Sequence, residues 1–198
     1  KRPYGNHIIV SNVEHPAVKN TAEWLKTQGF EVDFAPVDGD GFVIVSELEK
    51  LIRDETILVS IMAVNNEVGT IQPIDEISDL LADKPTISFH VDAVQAIGKI
   101  PIEAWLTERV DFAVLSAHKF HGPRGVGIVV AKKGKRLTPL LHGGGQEHNW
   151  RSTTENLAGI AATSKALRLA LDDDDFKRQK VRAMKQVILE ELEKHRKV

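Results

Sequence analysis

The chain has 198 residues and a formal net charge of −2, with 42% hydrophobic and 27% charged residues. That length supports one good core with at most a small appendage, and the balance of residues is that of an ordinary globular protein. The charge offers no basic field to nucleic acid or an anionic membrane, no apolar run is long enough to span a bilayer, and the absence of cysteine excludes disulfides, thiolate metal sites and thiol catalysis within this chain.

The start, "KRPYGNHIIV", carries neither a methionine nor a signal peptide. A processed product or a piece of a longer chain is expected, in a reducing cytoplasm. "HIIVSN" reads as a short buried strand. "HPAVKNTAEWLKTQG" follows as a helix, with Pro16 suited to its first turn and Gly29 to its stop. "FEVDFAPV" alternates as a strand, and "DGDG" makes a turn. "SELEKLIRD" has capping-box spacing between Ser46 and Glu49. "TILVSIM" is a buried strand, "PIDEISDLLAD" a helix opened by Pro73, and "TISFHVD", "DFAVLSA" and "GVGIVVAKK" three further strands. "TENLAGIAATSKALRLAL" and "FKRQKVRAMKQVILEELEKHRKV" are helical. The acid run 172–175 breaks them and places negative charge at the second helix's start, which the helix dipole favours. β-Branched apolar strands separated by helices predict an α/β fold: a mainly parallel sheet flanked by helices, with a helical C-terminal third.

In open α/β sheets, ligands bind beyond the carboxyl ends of the strands. Here those ends carry Glu14 and His15; Asn65, Asn66 and Glu67; Asp92 with Gln95; and Ser116, His118 and Lys119. One sheet edge thus gathers a lysine, a carboxylate, two imidazoles and amide donors. A lysine amine and a carboxylate in one cleft suit pyridoxal 5'-phosphate (PLP). Its aldehyde condenses with lysine, and its pyridine nitrogen needs a carboxylate to keep its proton. An aromatic or histidine ring can stack on its face, and its phosphate takes hydroxyls, a histidine and backbone N–H groups.

The segments "EHPAV", "MAVNNEVGTIQPI", "HVDAVQAIGK", "SAHKFHGPRGVG" and "HGGGQE…RSTTEN" together resemble the NifS/IscS-type cysteine desulfurases of the class V aminotransferase family. They occur in that family's order and cover nearly the whole chain. The resemblance implies the large domain of a PLP-dependent transferase of the aspartate aminotransferase type. It implies residues 1–156 as the PLP-binding core and 157–198 as a helical segment leading toward a small domain. Lys119 would hold PLP as a Schiff base and act as general base. Asp92 would pair with the pyridine nitrogen, and His15 would stack on the ring. Asn66 and Gln95 would meet the phenolic oxygen, and Ser116 and His118 the phosphate. Thr154 would reach the phosphate of the partner in a homodimer. The implied activity converts L-cysteine to L-alanine and an enzyme-bound persulfide. That sulfur would go to iron–sulfur cluster assembly or other sulfur transfer, through an acceptor scaffold protein.

The family usually reads Arg-Ser-Gly-Thr where this chain has "RSTT". Thr153 is costly there if the position needs a left-handed backbone. The family's upstream phosphate-binding turn and its downstream sulfur-accepting cysteine are not in this sequence, so the chain taken alone is expected to be inactive. Selenocysteine lyase or another enzyme of the same family is the nearest alternative, and a non-catalytic PLP-binding or interaction fragment is the next. "HGGG" suggests an esterase loop, but no Gly-x-Ser-x-Gly elbow exists. His142, Glu147 and His148 match no metal-ligand spacing, and "GPRGVG" lacks a Walker lysine. His90 reads as structural or supporting. Arg124 and Arg151 read as phosphate or dimer contacts.

Overall fold

The computed structural model describes residues 5–172 and 174–195. In chain order it places β1 (His7–Ser11), α1 (Pro16–Thr27), β2 (Glu31–Ala35), α2 (Val45–Leu51), β3 (Thr56–Met62), α3 (Ile74–Leu80), β4 (Ser88–Asp92), β5 (Phe112–Ser116) and β6 (Gly127–Ala131). A one-turn α4 (Gln146–Asn149) and the longer α5 (Leu157–Leu171) and α6 (Asp174–Lys194) follow. The strands form one sheet in the order β2-β1-β3-β4-β5-β6. Every pairing is parallel except β5 with β6. Only a short turn separates those two strands, too little chain for a crossover helix, so β6 returns antiparallel.

The strands are apolar because both faces of the sheet are covered. On one face Ile9, Val59, Ile61, Phe89, Val91 and Ala113 pack with Leu48, Ile74, Ile77, Leu81 and Trp105 in the larger core. On the other, Ile8 and Val10 pack with Ala22 of α1 and Val32 of β2. Neighbouring residues of β1 thus serve opposite cores, as strand alternation requires. α5 joins the larger core through Ala166, Leu167, Ala170 and Leu171. α6 buries none of its described residues, and Val181, Met184, Ile188 and Leu192 expose an apolar stripe along it. No helix among the described residues is long and apolar enough to cross a membrane.

The helix boundaries mostly follow the sequence. Pro16 opens α1, His15 caps it, and Gly29 ends the turn after it at φ 82°. α6 begins inside the acid run, with Asp174 and Asp175 in its first turn and Arg178 paired to both; Asp173 lies outside the described residues. α2 departs from expectation. Ser46 does not cap it: the helix starts at Val45, its cap is Ile44, and no side chain satisfies it. The segment before it is pinned as extended chain. Val43 bridges Val37, the Ile44 N–H donates to the Pro36 carbonyl at 3.0 Å, and the Val43 N–H donates to Gln72 Oε1 at 2.8 Å. Those tertiary bonds, not the local capping pattern, set where the helix begins.

The edge of the sheet opposite the strands' carboxyl ends is locked by one buried carboxylate. Asp111 Oδ2 accepts from the Phe89 N–H at 3.0 Å and from Arg109 Nη1 at 2.9 Å, and Oδ1 faces Lys135 Nζ at 3.0 Å. Arg109 also donates to the carbonyls of Leu81, Lys84 and Ile87. The clamp joins the end of α3 and the start of β4 to the segments flanking β5 and β6. Burial alone would raise the Asp111 carboxyl, but the Phe89 N–H and the two cations outweigh it and hold it below the usual carboxylate range. Such a lowered group stabilises the fold above the unfolded carboxylate's pKa and loses that contribution as pH falls through its folded value. Asp111→Asn should therefore cost about 3 kcal/mol at neutral pH, since it leaves a partly buried arginine short of its counter-charge. The deficit should shrink below about pH 4. Urea unfolding of both proteins across that range measures it.

Candidate active site

β1, β3, β4 and β5 lie side by side and parallel, so their carboxyl ends share one edge. A cleft of about 460 Å³ opens there. Its lining includes His15, Asn66, Asp92, Gln95, Ser116, His118 and Lys119, every site residue expected from the sequence except Thr154. Thr154 is exposed and outside this lining, as are Arg124 and Arg151. Met62, Val64, Val94, Val114 and Leu115 supply apolar wall that no motif pointed to.

Lys119 stands in a 3₁₀ turn, Ala117–Phe120, directly after β5. Ala117 and Phe120 anchor the turn in the core, leaving His118 and Lys119 exposed between them. The turn ends at His121 in a left-handed conformation, φ 67°. Gly122 then passes so close that an added Cβ would lie 2.9 Å from the Ala117 carbonyl oxygen. The Gly122 N–H donates to that oxygen at 2.8 Å, and the Ala117 N–H donates to the Val126 carbonyl at 3.1 Å. The glycine-rich segment is thus the fold-back that aims Lys119 and starts β6, which disposes of a nucleotide loop.

Asp92 ends β4, buried at 8% exposure. Its Oδ1 accepts the Val94 N–H at 3.0 Å. His15 caps α1 with Nδ1 accepting from the Ala17 N–H at 3.1 Å, which leaves a neutral ring its proton on Nε2. Its capping and cleft positions therefore coexist. Gln95 Oε1 accepts from Lys99 Nζ. Among the described residues, no hydrogen bond engages the side chains of Asn66, Ser116, His118 or Lys119. An amine, a hydroxyl, an amide and an imidazole are thus left to a ligand.

His90, read from the sequence as structural or supporting, also lines the cleft. Its Nδ1 is 2.8 Å from Ser60 Oγ, and burial holds its pKa below the usual histidine value despite the charge of Asp92. Lys99 was not foreseen. It shares a second hollow of about 490 Å³ with Lys119, Lys165 and Lys177, and its amine is lowered by burial first and by the charge of Lys119 second. None of these three neighbours is visible in sequence spacing. Thr153 is not among the described residues with a left-handed backbone, so the glycine usual there is not required by its φ. The left-handed strain falls instead on α4, at Glu147 and His148.

Residues 3–198 match the family described as aminotransferase class-V. A NifS/IcsS protein homolog of Lactobacillus delbrueckii subsp. bulgaricus is 54% identical over 188 residues, 95% of this chain and 49% of that protein. Cysteine desulfurase IscS of Clostridium botulinum is 50% identical over 169 residues, 85% of this chain and 42% of that protein. A solved NifS-like protein superposes with a TM-score of 0.92 at 42% identity, covering 98% of this chain and 53% of that one. The chain spans about half the length of the curated relatives it matches. The sheet order, the flanking helices and this match give it the α/β fold of the PLP-dependent transferases, and the chain belongs to the aminotransferase class-V family.

Proposed function

We propose that this chain is the cofactor-binding part of a PLP-dependent cysteine desulfurase. The observation that supports this most is the meeting of Lys119 and Asp92 in one cleft at the ends of adjacent strands. The donor set fits PLP: an amine, a buried carboxylate, and a hydroxyl and imidazole with no hydrogen-bond partner among the described residues lie around one space. Lys119 and Asp92 would hold its aldehyde and pyridine ends, Ser116 and His118 its phosphate, Asn66 and Gln95 its phenolic oxygen, and His15 its face. When bound, the cofactor supplies an electron sink for the substrate's α-carbon.

Around that sink the chain's own groups handle protons and position. Lys119 Nζ takes the α-proton of L-cysteine as general base. Asp92 keeps its negative charge on the ring-nitrogen side and so holds a proton there by a charge-assisted hydrogen bond. Met62, Val64, Val94 and Val114 shield that side from water, which strengthens the interaction. The sulfur leaves to a thiolate that this chain does not contain. The product sulfur would pass to an acceptor scaffold protein in the cytoplasm. Residues 1–156 form the cofactor-binding unit in this reading, and 157–198 lead toward a small domain. A homodimer would bring Thr154 to the partner's phosphate.

Three experiments test the reading. Borohydride reduction of PLP-treated protein followed by peptide mapping should place a pyridoxyl label on Lys119 and lose it in Lys119→Ala; a label on Lys99 or Lys132 instead would overturn the assignment.

Asp92→Asn keeps the shape and removes the charge. A charge-assisted hydrogen bond is worth about 1.5–3 kcal/mol, so turnover in the full-length protein should fall by at least about 10- to 100-fold while its unfolding midpoint barely moves. Near-normal kcat would mean that the carboxylate is wrongly placed.

The 198-residue chain by itself, given PLP, L-cysteine and a reductant, should release no alanine above a no-protein control, because it lacks a thiol to take the sulfur. Alanine formed at the rate of a full-length relative, and abolished by Lys119→Ala, would show the thiol to be dispensable.

A further inference from the structure

Glu14 is a buried acid at the cleft edge of the sheet that the proposed chemistry does not use. It lies in the turn between β1 and α1 and is 6% exposed. Both of its hydrogen bonds fall on one oxygen: Oε1 accepts from Ser11 Oγ at 2.6 Å and from the Met62 N–H at 2.7 Å. The other oxygen, Oε2, is buried with no partner among the described residues. A carboxylate divides its charge over two oxygens, and here one would hold that charge without solvent or donor. A neutral acid needs only one accepting oxygen and carries its proton on the other. A lone buried O–H costs far less than a lone buried charge.

The setting supports the same protonation. Met62, whose N–H Glu14 accepts, stands opposite Asp92 in the β3–β4 register, one strand spacing away. The Ala63 N–H donates to the Asp92 carbonyl at 2.8 Å, which fixes that juxtaposition. A carboxylate on the neighbouring strand adds to the cost of ionising the buried Glu14, though less than burial itself. Asp92 borders the cleft and has a backbone donor, so it is the one better placed to keep the charge. The other titratable groups around Glu14 are His15 and Lys19 on its own turn and helix, His90 on β4, and Asp38, Asp40 and Glu67 across the neighbouring hollow. Of these charges Asp92 is the one that acts on it, and its contribution is smaller than that of burial or of either hydrogen bond. Burial, with Asp92 adding to it, pushes the Glu14 carboxyl up to about 7 against the pull of the Ser11 and Met62 bonds.

We infer that Glu14 is a positioning residue: a neutral carboxylic acid that ties the end of β1 to the end of β3 and leaves Asp92 as the charged carboxylate facing the ring nitrogen. The inference rests on the PLP reading for its purpose, but its chemistry is testable without cofactor. A raised acid stabilises the fold least where it is forced to ionise. Stability contributed by this site is present below the ordinary glutamate pKa and declines as pH rises toward about 7. His7 and His90, both lowered, act in the opposite sense, and they cancel when a Glu14 variant is compared with the parent.

The experiment uses cofactor-free full-length protein first. Difference infrared spectroscopy between parent and Glu14→Gln should show a protonated-carboxyl band in the parent that vanishes through a midpoint near 7. Asp92→Asn should shift that midpoint to lower pH, because it removes the repelling charge. Thermal midpoints should move in favour of Glu14→Gln as pH rises from about 5 to about 8. A purely structural glutamate would give neither the band nor its response to Asp92. PLP is then titrated by absorbance: the parent's affinity should inflect near the same pH, and that of Glu14→Gln should not. No band in the parent at about pH 6, or a midpoint indifferent to Asp92→Asn, overturns the inference. So does a PLP affinity with the same pH profile in both proteins. If instead PLP fails to bind at Lys119 while the band and its Asp92 response persist, the reading of the site fails and the protonated Glu14 stands.

Discussion

The parallel, in-register pairing of β3 with β4 and of β4 with β5 is the constraint on which the site depends. Met62 faces Asp92, and Asp92 faces Val114. The ladder does not stop at the last strand residue: the Ala63 N–H bonds to the Asp92 carbonyl, and the Ala93 N–H bonds to the Val114 carbonyl at 3.0 Å. The backbone carrying the site is therefore held up to the point where the chain turns away. A one-residue slip would send every side chain of β4 to the other face. Val91 and Phe89, fully buried now, would face the opposite layer, and Asp92 would leave the cleft. The hydrophobic cores thus enforce the register, and the register places the carboxylate.

The two edges of the sheet use polar groups in opposite ways. At one, Asp111 and Arg109 satisfy nearly every donor and acceptor they own against each other and against backbone. That edge is closed. At the other, Ser116, His118, Lys119 and Asn66 have no hydrogen-bond partner among the described residues, and Glu14 has an oxygen in the dark. Water can solvate the exposed Asn66, His118 and Lys119, so they stay open to a ligand at little cost, whereas the buried Glu14 oxygen is the costly one. The well-paired clamp at the far edge holds the strands together beneath them.

Much of this was legible in the chain. Runs such as "TILVSIM" and "FAVL" are largely apolar because both faces are covered, and that pattern reads as parallel sheet. Once the sheet is parallel, residues that follow each run must gather at one edge, so Lys119, Asp92, Asn66 and His15 could be grouped before any geometry. What stayed hidden depends on contacts distant in sequence. The start of α2 follows from Gln72 and Pro36, not from Ser46. The nearness of Lys99 to Lys119 comes from two loops meeting. Glu14 was visible as a strand-end acid, but its burial and its bond to Met62, 48 residues away, were not. The role of Thr153 could be read only from its backbone angle.

The distribution of charge across this edge has a direction. The β5 side carries Lys119 and His118, with Lys99 and Lys165 in the adjoining hollow. The β4 side carries Asp92 as its carboxylate. The field between them suits a ligand that is anionic at one end and can carry a proton at the other. It also bears on the lysines themselves. Lys99 is lowered by burial first and by the charge of Lys119 second. Lys99 stays anchored to Gln95 and caps no strand, whereas Lys119 leaves β5 on a turn clamped by Phe120 below and Gly122 beside it. Of the two, only Lys119 has its backbone fixed by the sheet and its side chain without a hydrogen bond. That difference in anchoring, more than any difference in charge, distinguishes the two amines: one is held to Gln95 and the other is left open on a fixed backbone.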